Sequence, residues 1–268
     1  MNRIPAIGLG TWQNTNPEQC AESVRLALES GYTHADTAQF YDNERAVGEG
    51  IATASVPRED VFVATKLHPE QTGLAYDEVL DGVDDSLRRL GVDTLDLLYV
   101  HWPVGNYDAA ETLPAFDELV DRGTVDHVGV SNFSPDLLDE ALDVLDAPLF
   151  AHQVEMHPLL QQETLLEHAR KHDYYQVAYS PLAQGGAFDV PEVARIAKRR
   201  GVSPAQVCLA WLLSKKNVTA VPKATSEAHI ADNRAALDLA LTSAEVESID
   251  SIRRTERLIE QEGAPWSA

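Results

Sequence analysis

Residues 31–50 read GYTHADTAQFYDNERAVGEG, one complete step from strand to helix. Gly31 ends the helical pattern before it, because glycine takes the left-handed turn that closes a helix without penalty. Thr33-His34-Ala35-Asp36 then reads as a short strand ending in a carboxylate, and Asp42-Asn43-Glu44 opens a new helical pattern through Val47. Tyr41 lies between the two. An aspartate and a tyrosine therefore leave a strand end together, just ahead of a helix. Repeated along the chain, such a step builds a parallel sheet covered by helices.

The step does repeat. Upstream, Ile4 to Trp12 is a short extended lead-in, and Asn16-Pro17-Glu18-Gln19 starts a helix with Asn16 as cap and Pro17 in the first turn. Downstream, the apolar runs predict strands at 61–65 (ending at Lys66), 95–100 (ending at His101), 125–130 (ending at Ser131-Asn132), 149–154, 175–179 (ending at Ser180-Pro181-Leu182) and 218–221 (ending at Pro222-Lys223). Helical patterns separate them, as at 76–90, 162–172, 190–200 and 204–213. A short helix from Ser226, a weak strand near 237–239 and a helix capped by Thr242 and Glu245 complete the chain. The strands are near-continuous apolar runs, as in sheets buried on both faces. Eight such steps in 268 residues favour an α/β fold of the closed (β/α)8 TIM-barrel type, a single domain over residues 1–268. The open doubly wound sheet is the runner-up. Against it, Gly8-Leu9-Gly10 precedes a turn and no Gly-x-Gly-x-x-Gly follows the first strand.

Composition narrows the function. Asp plus Glu number 43 against 21 Lys plus Arg, a net charge of −22, and the acid is spread along the chain. Such a surface repels itself in dilute buffer and is screened in concentrated salt, so it reads as salt-adapted. Nucleic acid and anionic membranes are poor partners for it. The two cysteines, Cys20 and Cys208, form no disulfide framework. The longest apolar run, 207–213, is too short to span a bilayer, and the N-terminus lacks an apolar signal core. A cytoplasmic protein is expected.

In a barrel of this kind, polar residues at the C-terminal strand ends face the site. Here they are Asp36 with Tyr41 just beyond, Lys66, His101, Ser131, Asn132, Gln153, Tyr179 and Lys223. A carboxylate, a phenol, an ammonium and an imidazole can thus converge at one mouth. A free tyrosine, with a pKa near 10, is a poor acid at neutral pH, and a lysine beside it favours the phenolate. Asp36 would hold Lys66 charged and aimed, His101 would orient a carbonyl oxygen, and Tyr41 would protonate it. No serine or cysteine has an evident base, so the bond-making partner is expected to be a cofactor.

The chain resembles the aldo-keto reductases, of the small prokaryotic type. The resemblance is carried by Gly8-Leu9-Gly10-Thr11-Trp12, Asp36-Thr37-Ala38 with Tyr41 and Asn43-Glu44, Ala64-Thr65-Lys66, His101-Trp102-Pro103, Gly129-Val130-Ser131-Asn132-Phe133, Gln153 with Glu155 and His157-Pro158, Tyr179-Ser180-Pro181-Leu182 and Val221-Pro222-Lys223, in the family's order over nearly the whole chain. It implies NAD(P)H-dependent reduction of aldehydes and ketones to alcohols, with Asp36, Tyr41, Lys66 and His101 as the catalytic tetrad. It further implies that Ser131, Asn132 and Gln153 hold the nicotinamide carboxamide, that Tyr179 stacks on its ring, and that Thr11 and Trp12 lie against the cofactor. Ser180 and Leu182 would cover the pyrophosphate, and Lys223, Thr225, His229, Asp232 and Asn233 would meet the adenosine end. Trp12, Tyr41, His101 and Trp102 would line the pocket of a small carbonyl substrate, and a monomer is expected.

The departures sit at the adenosine end. Many NADPH-using relatives have serine after the lysine and arginine six residues beyond it; here those positions are Ala224 and His229. NADP(H) is favoured, with NAD(H) possible, since Lys223 and a helix start at Ser226 can still hold a 2′-phosphate. The short tail after Ile252 suggests an open pocket. His68, His152 and His157 are not expected to bind metal, and Arg199-Arg200 reads as a solvated helix end. Three rivals remain: a non-catalytic nicotinamide-binding regulatory subunit of the same fold, a short-chain dehydrogenase, and a metal-dependent barrel hydrolase. The second needs a Tyr followed four residues later by a Lys on a helix, and no Tyr of this chain has Lys at that offset.

Overall fold

Eight parallel strands follow one another around a single sheet in chain order. They are β1 (Leu9–Gly10), β2 (His34–Asp36), β3 (Phe62–Leu67), β4 (Leu97–Val100), β5 (Val128–Ser131), β6 (Leu149–Glu155), β7 (Tyr175–Tyr179) and β8 (Val218–Ala220). Backbone bonds close the ring: Gly8 N donates to Ala220 O at 2.9 Å and Gly10 N to Pro222 O at 3.1 Å. This close approach needs glycine at position 10, where a Cβ would stand 2.5 Å from Val221 O. The computed structural model, which describes residues 3–266, thus has the closed α/β barrel and not the open sheet.

One strand of the eight is not where the apolar pattern places it. Residues 235–238 form a 3-10 turn, and the extended lead-in supplies the missing strand as β1. Leu237 is 42% exposed, whereas Leu9 is buried. A strand of two residues is too short for any alternation to show.

The outer layer consists of α1 (Pro17–Glu29), α2 (Glu44–Thr53), α3 (Tyr76–Leu90), α4 (Ala109–Asp121), α5 (Pro135–Val144), α6 (Glu163–His172), α7 (Pro191–Arg200), α8 (Pro204–Leu213), α9 (Glu227–Arg234) and α10 (Ser243–Asp250). Local chemistry sets their ends. Asn16 Oδ1 accepts from Gln19 N at 2.8 Å, and the Thr242–Glu245 capping box forms. α3 stops at Gly91, whose φ of 67° is left-handed. Arg199 and Arg200 are not a merely solvated end. Both donate to the buried Glu245 carboxylate, at 2.6 and 2.5 Å, because α10 packs back against α7.

The barrel interior fixes where the chemistry lies. Phe62, Ala64, Leu97, Tyr99, Ala151 and Val177 form a packed plug inside the sheet. Strand side chains alternate between faces, so the residue two further on shares that interior face. Ala64 is thus followed by Lys66, Tyr99 by His101, Ala151 by Gln153 and Val177 by Tyr179. The same step carries His34 to Asp36 and Gly129 to Ser131. Six functional side chains reach the C-terminal mouth on one apolar plug, each positioned by its strand.

Candidate active site

The mouth opens into a cleft of about 710 Å³. At its floor, Lys66 is fully buried; its Nζ donates to Asp36 Oδ1 at 2.5 Å and to Thr37 O at 2.6 Å. The other Asp36 oxygen accepts from Gln153 Nε2 at 2.8 Å. Lys66 Nζ lies 5.1 Å from the centre of the Tyr41 ring, and the His101 ring stands edge-on to Tyr41 with centroids 5.6 Å apart. The four tetrad residues therefore meet, with Lys66 beneath the surface and the other three lining the cleft.

The Tyr41 turn is held from several sides. Tyr41 ends a 3-10 turn closed by Asp42 in the left-handed region (φ 52°). Thr37 Oγ1 donates to Asn43 Oδ1 at 2.8 Å, and Asn43 Nδ2 donates to Thr11 O at 2.9 Å. Buried Glu44 accepts from Thr65 Oγ1 (2.6 Å) and from Arg89 Nε (2.7 Å). These bonds tie the turn to the exit of β1, to β3 and to α3, so a rigid frame carries the phenol.

Electrostatics overturn one expectation. Burial pushes the Tyr41 phenol well above its ordinary range, and the Asp36 charge pushes the same way. The Lys66 ammonium is turned onto Asp36 and Thr37, and burial outweighs its pull on the phenol in this state. Burial also lowers the Lys66 ammonium, with Asp36 opposing. His101 is held well below its usual value by burial first, then by the nearby Lys66 and His68 charges. The site thus presents a protonated phenol and a neutral imidazole.

Around this floor the other expected residues fall into two groups. Ser131 Oγ donates to Gln153 O at 2.8 Å, Asn132 Nδ2 to His101 O at 3.0 Å, and Tyr179 Oη to Asn132 Oδ1 at 2.9 Å. With Thr11, Trp12, Trp102, Ser180 and Leu182 they line the cleft. Lys223, His229, Asp232 and Asn233 line its far end, and Thr225 does not. Asp232 is also less available than expected: its oxygens accept from Ser203 Oγ and Gln206 Nε2, both at 2.6 Å.

Several lining residues escape a sequence reading. Phe40 stacks on His68 at 4.3 Å between centroids, and His68 stands edge-on to His101 at 5.2 Å. Their only signal was adjacency to Tyr41 and Lys66. Leu258, Ile259, Glu260 and Gln261 also line the cleft, so the short tail does not leave it open. Buried Glu155 holds the tail, accepting from Leu258 N at 2.8 Å and Ile259 N at 2.9 Å, with His157 Nε2 2.9 Å from it. Trp266 packs against Trp102 with centroids 5.4 Å apart. No local spacing could announce a contact across 100 residues.

The residues present suit a nicotinamide dinucleotide with a small substrate. The cleft runs from two amide side chains, Asn132 and Gln153, past the partly buried Tyr179 ring to a lysine beside the start of α9. Such a donor set and volume match a cofactor pocket largely formed in advance.

Fold and site define a barrel oxidoreductase, and comparison with known proteins gives its family. The model of the aldo/keto reductase family matches residues 6–254. An aldo-keto reductase of Mycolicibacterium smegmatis is 40% identical over 258 residues, 96% of this chain and 92% of the relative. Methylglyoxal reductase DkgB of Salmonella typhi is 35% identical over 263 residues, 97% of each chain. A solved structure of MGS-M4, an aldo-keto reductase enzyme from a Medee basin deep-sea metagenome library, superposes with a TM-score of 0.91 at 32% identity, covering 97% of this chain and 95% of that one. The chain belongs to the aldo-keto reductase family. It is an NAD(P)-dependent oxidoreductase that reduces small carbonyl compounds.

Proposed function

We propose that this protein reduces small aldehydes and ketones by proton delivery from Tyr41, with NADP(H) favoured over NAD(H). One observation carries the assignment of roles: Lys66 is buried on Asp36 beneath the Tyr41 ring, with neutral His101 at its edge. When bound, the reduced nicotinamide supplies the hydride. The protein supplies the rest. His101 offers a neutral N–H to the carbonyl oxygen and orients it. Tyr41 holds its proton in the free site and releases it as negative charge grows on that oxygen. Lys66 then stabilises the phenolate left behind, a charge that exists only late in the reaction. Asp36 and Gln153 keep the ammonium in place. No metal is needed for this chemistry.

Ser131, Asn132, Gln153 and Tyr179 would hold the nicotinamide, with Thr11 and Trp12 beside it. Ser180 and Leu182 would pass over the pyrophosphate, and Lys223 with the start of α9 would meet the 2′-phosphate. Exposed His229 offers less than a bidentate arginine, which keeps NAD(H) possible. The substrate class favoured is a short carbonyl such as a 2-oxoaldehyde, supported by the methylglyoxal-reducing relative and by the tail residues that narrow the cleft.

We read the closed sheet as one domain, acting as a cytoplasmic monomer without nucleic-acid or membrane partners. Among the described residues no helix is long and apolar enough to cross a membrane. The net charge of −22 supports adaptation to concentrated salt. The deciding experiment is a carbonyl screen with NADPH and NADH at equal concentration in molar KCl. Reduction of short aldehydes with NADPH ahead is expected, and a strong NADH preference would reverse the cofactor assignment.

A further inference from the structure

The outer layer carries a second cluster of chemistry-bearing side chains, none of which lines the cleft. Asp139 on α5 and His168 and His172 on α6 each bring one ligand-capable atom to the same spot, all within 4.8 Å of one another. Among the described residues no other three His, Cys, Asp or Glu side chains do this. His168 and His172 are four apart on one helix, hence on one face. Their rings stack with centroids 4.5 Å apart and planes 22° from parallel. His168 Nε2 lies 3.1 Å from Asp139 Oδ1, and its Nδ1 lies 2.8 Å from the hydroxyl of Tyr174, itself buried. His172 Nε2 is shut off from solvent and has no hydrogen-bond partner.

We propose that Asp139, His168 and His172 bind a borderline divalent transition-metal cation, Zn²⁺ being the best match, as a staple between α5 and α6. Two imidazoles and a carboxylate are a common three-ligand set for zinc, with water in the fourth position. Tyr174 completes the arrangement. A ligating histidine needs its other ring nitrogen held, and a hydroxyl accepts as readily as it donates. His168 can therefore carry its proton on Nδ1, donate that N–H as a hydrogen bond to Tyr174 Oη, and present the Nε2 lone pair to the metal. Asp139 is exposed enough to swing onto the ion without disturbing α5. Asp136, Glu140 and Asp143, exposed on the same helix, raise the local cation concentration. α5 fully buries only Leu138 and Ala141, so a tie to its neighbour would add to a thin apolar contact.

The sequence offers the His168–His172 pair at helical spacing, but Asp139 joins it only through the packing of α5 on α6. The test uses the untagged full chain, stripped with EDTA and titrated with ZnCl₂ by calorimetry and thermal melting. One Zn²⁺ per chain is expected, with Tm raised by roughly 5–10 °C at a hundredfold excess over Kd. His172→Gln and Asp139→Asn should each weaken binding by about tenfold or more, and the double variant should abolish it. Carbonyl reduction should stay unchanged in all three. His172 makes no hydrogen bond through Nε2, and the metal-free Tm of its variant, read in the same melts, separates loss of the site from loss of the fold. Absence of saturable binding, or binding undiminished in the double variant, would overturn the site.

Discussion

The two ends of the cleft are built to different standards. At the floor, Asp36, Lys66, Asn132 and Gln153 are buried, carried by strands or the residue after one, and joined in one hydrogen-bonded chain that runs from Thr37 O through Lys66, Asp36 and Gln153. At the far end, Lys223 and His229 are exposed and Asp232 is bonded to other protein groups. A strand end inside a packed barrel fixes an atom's position to a fraction of an ångström, which proton transfer needs. Holding a phosphate needs only a positive region that reaches it. On the proposed roles, the rigid end would set the reaction type and the loose one the cofactor choice. Substitutions at the two ends should accordingly differ in kind as well as in size.

The largest effect should come from the floor. Tyr41→Phe removes the proton and leaves the ring packing, so single-turnover reduction should slow by roughly 10²–10⁴-fold while cofactor affinity barely changes. Turnover within tenfold of the parent would show that another group delivers the proton. Lys66→Met goes further, since it strands the Asp36 carboxylate in the barrel. Breaking a buried pair in this way costs about 3–5 kcal/mol, readable as a lowered denaturation midpoint. Adding Asp36→Leu should restore much of that stability but none of the activity. Recovery of both would mean that the pair serves only the fold.

This rigid end was also the more legible in the sequence. Lys66 and His101 follow apolar runs and Asp36 and Gln153 lie near the ends of their strands, and alternation along each strand suffices to aim them. Tyr41 was legible because it lies between a strand end and a helix start. What escaped depends on packing over long distances. The tail across the cleft is held by Glu155, and Arg199 and Arg200 find Glu245 through the return of α10. The first strand was read only as a lead-in because two residues carry no period. The acidity of Tyr41 is not legible for a related reason: burial and Asp36 hold the phenol high in the free site, and the effect of Lys66 depends on which neighbour takes its charge, a matter of ångströms.

The barrel plug also makes a pH prediction. His34 stays neutral inside it, lowered to about 4 by burial, and His152, on the opposite face of β6, is lowered to about 3 by burial and accepts from Phe133 N. In the unfolded chain both would titrate near 6.5. Above that pH neither state is protonated and the two groups are neutral in their effect. As pH falls from about 6.5 towards 4, the unfolded chain takes up protons that the fold refuses, and stability is lost. Each histidine should contribute a loss on the order of 3 kcal/mol by pH 4. Denaturant melts of the parent and of His34→Gln, at pH 7 and 4.5, would measure this; an equal loss in both would show that His34 is not responsible.

At the far end, changes should be smaller and confined to cofactor terms. His229→Arg adds a fixed charge with a planar fork suited to a phosphate. The ratio of kcat/KM for NADPH over NADH should rise about tenfold, with kcat for either nearly constant. If kcat moved instead, the exposed end would be coupled to the chemistry and the division between the two ends would fail.

Salt gives the smallest effect and the finest probe of that division. At the exposed end, an anionic cofactor meets the field of a chain at −22. Screening extends over roughly 10 Å at 0.1 M salt and roughly 3 Å at 1 M, so added KCl should suppress the long-range repulsion first. It would also weaken the proposed pairing of Lys223 with phosphate, which acts in the opposite direction. The net charge is spread over the whole surface and Lys223 is one residue, so repulsion should dominate and KM for NADPH should fall a few-fold between 0.1 and 1 M KCl. The buried floor lies outside the reach of bulk ions, and kcat should stay flat. A rising KM would make Lys223 the stronger influence and argue against a salt-adapted surface. A kcat that followed the salt would show that Lys66 and Asp36 are less shielded than their burial implies.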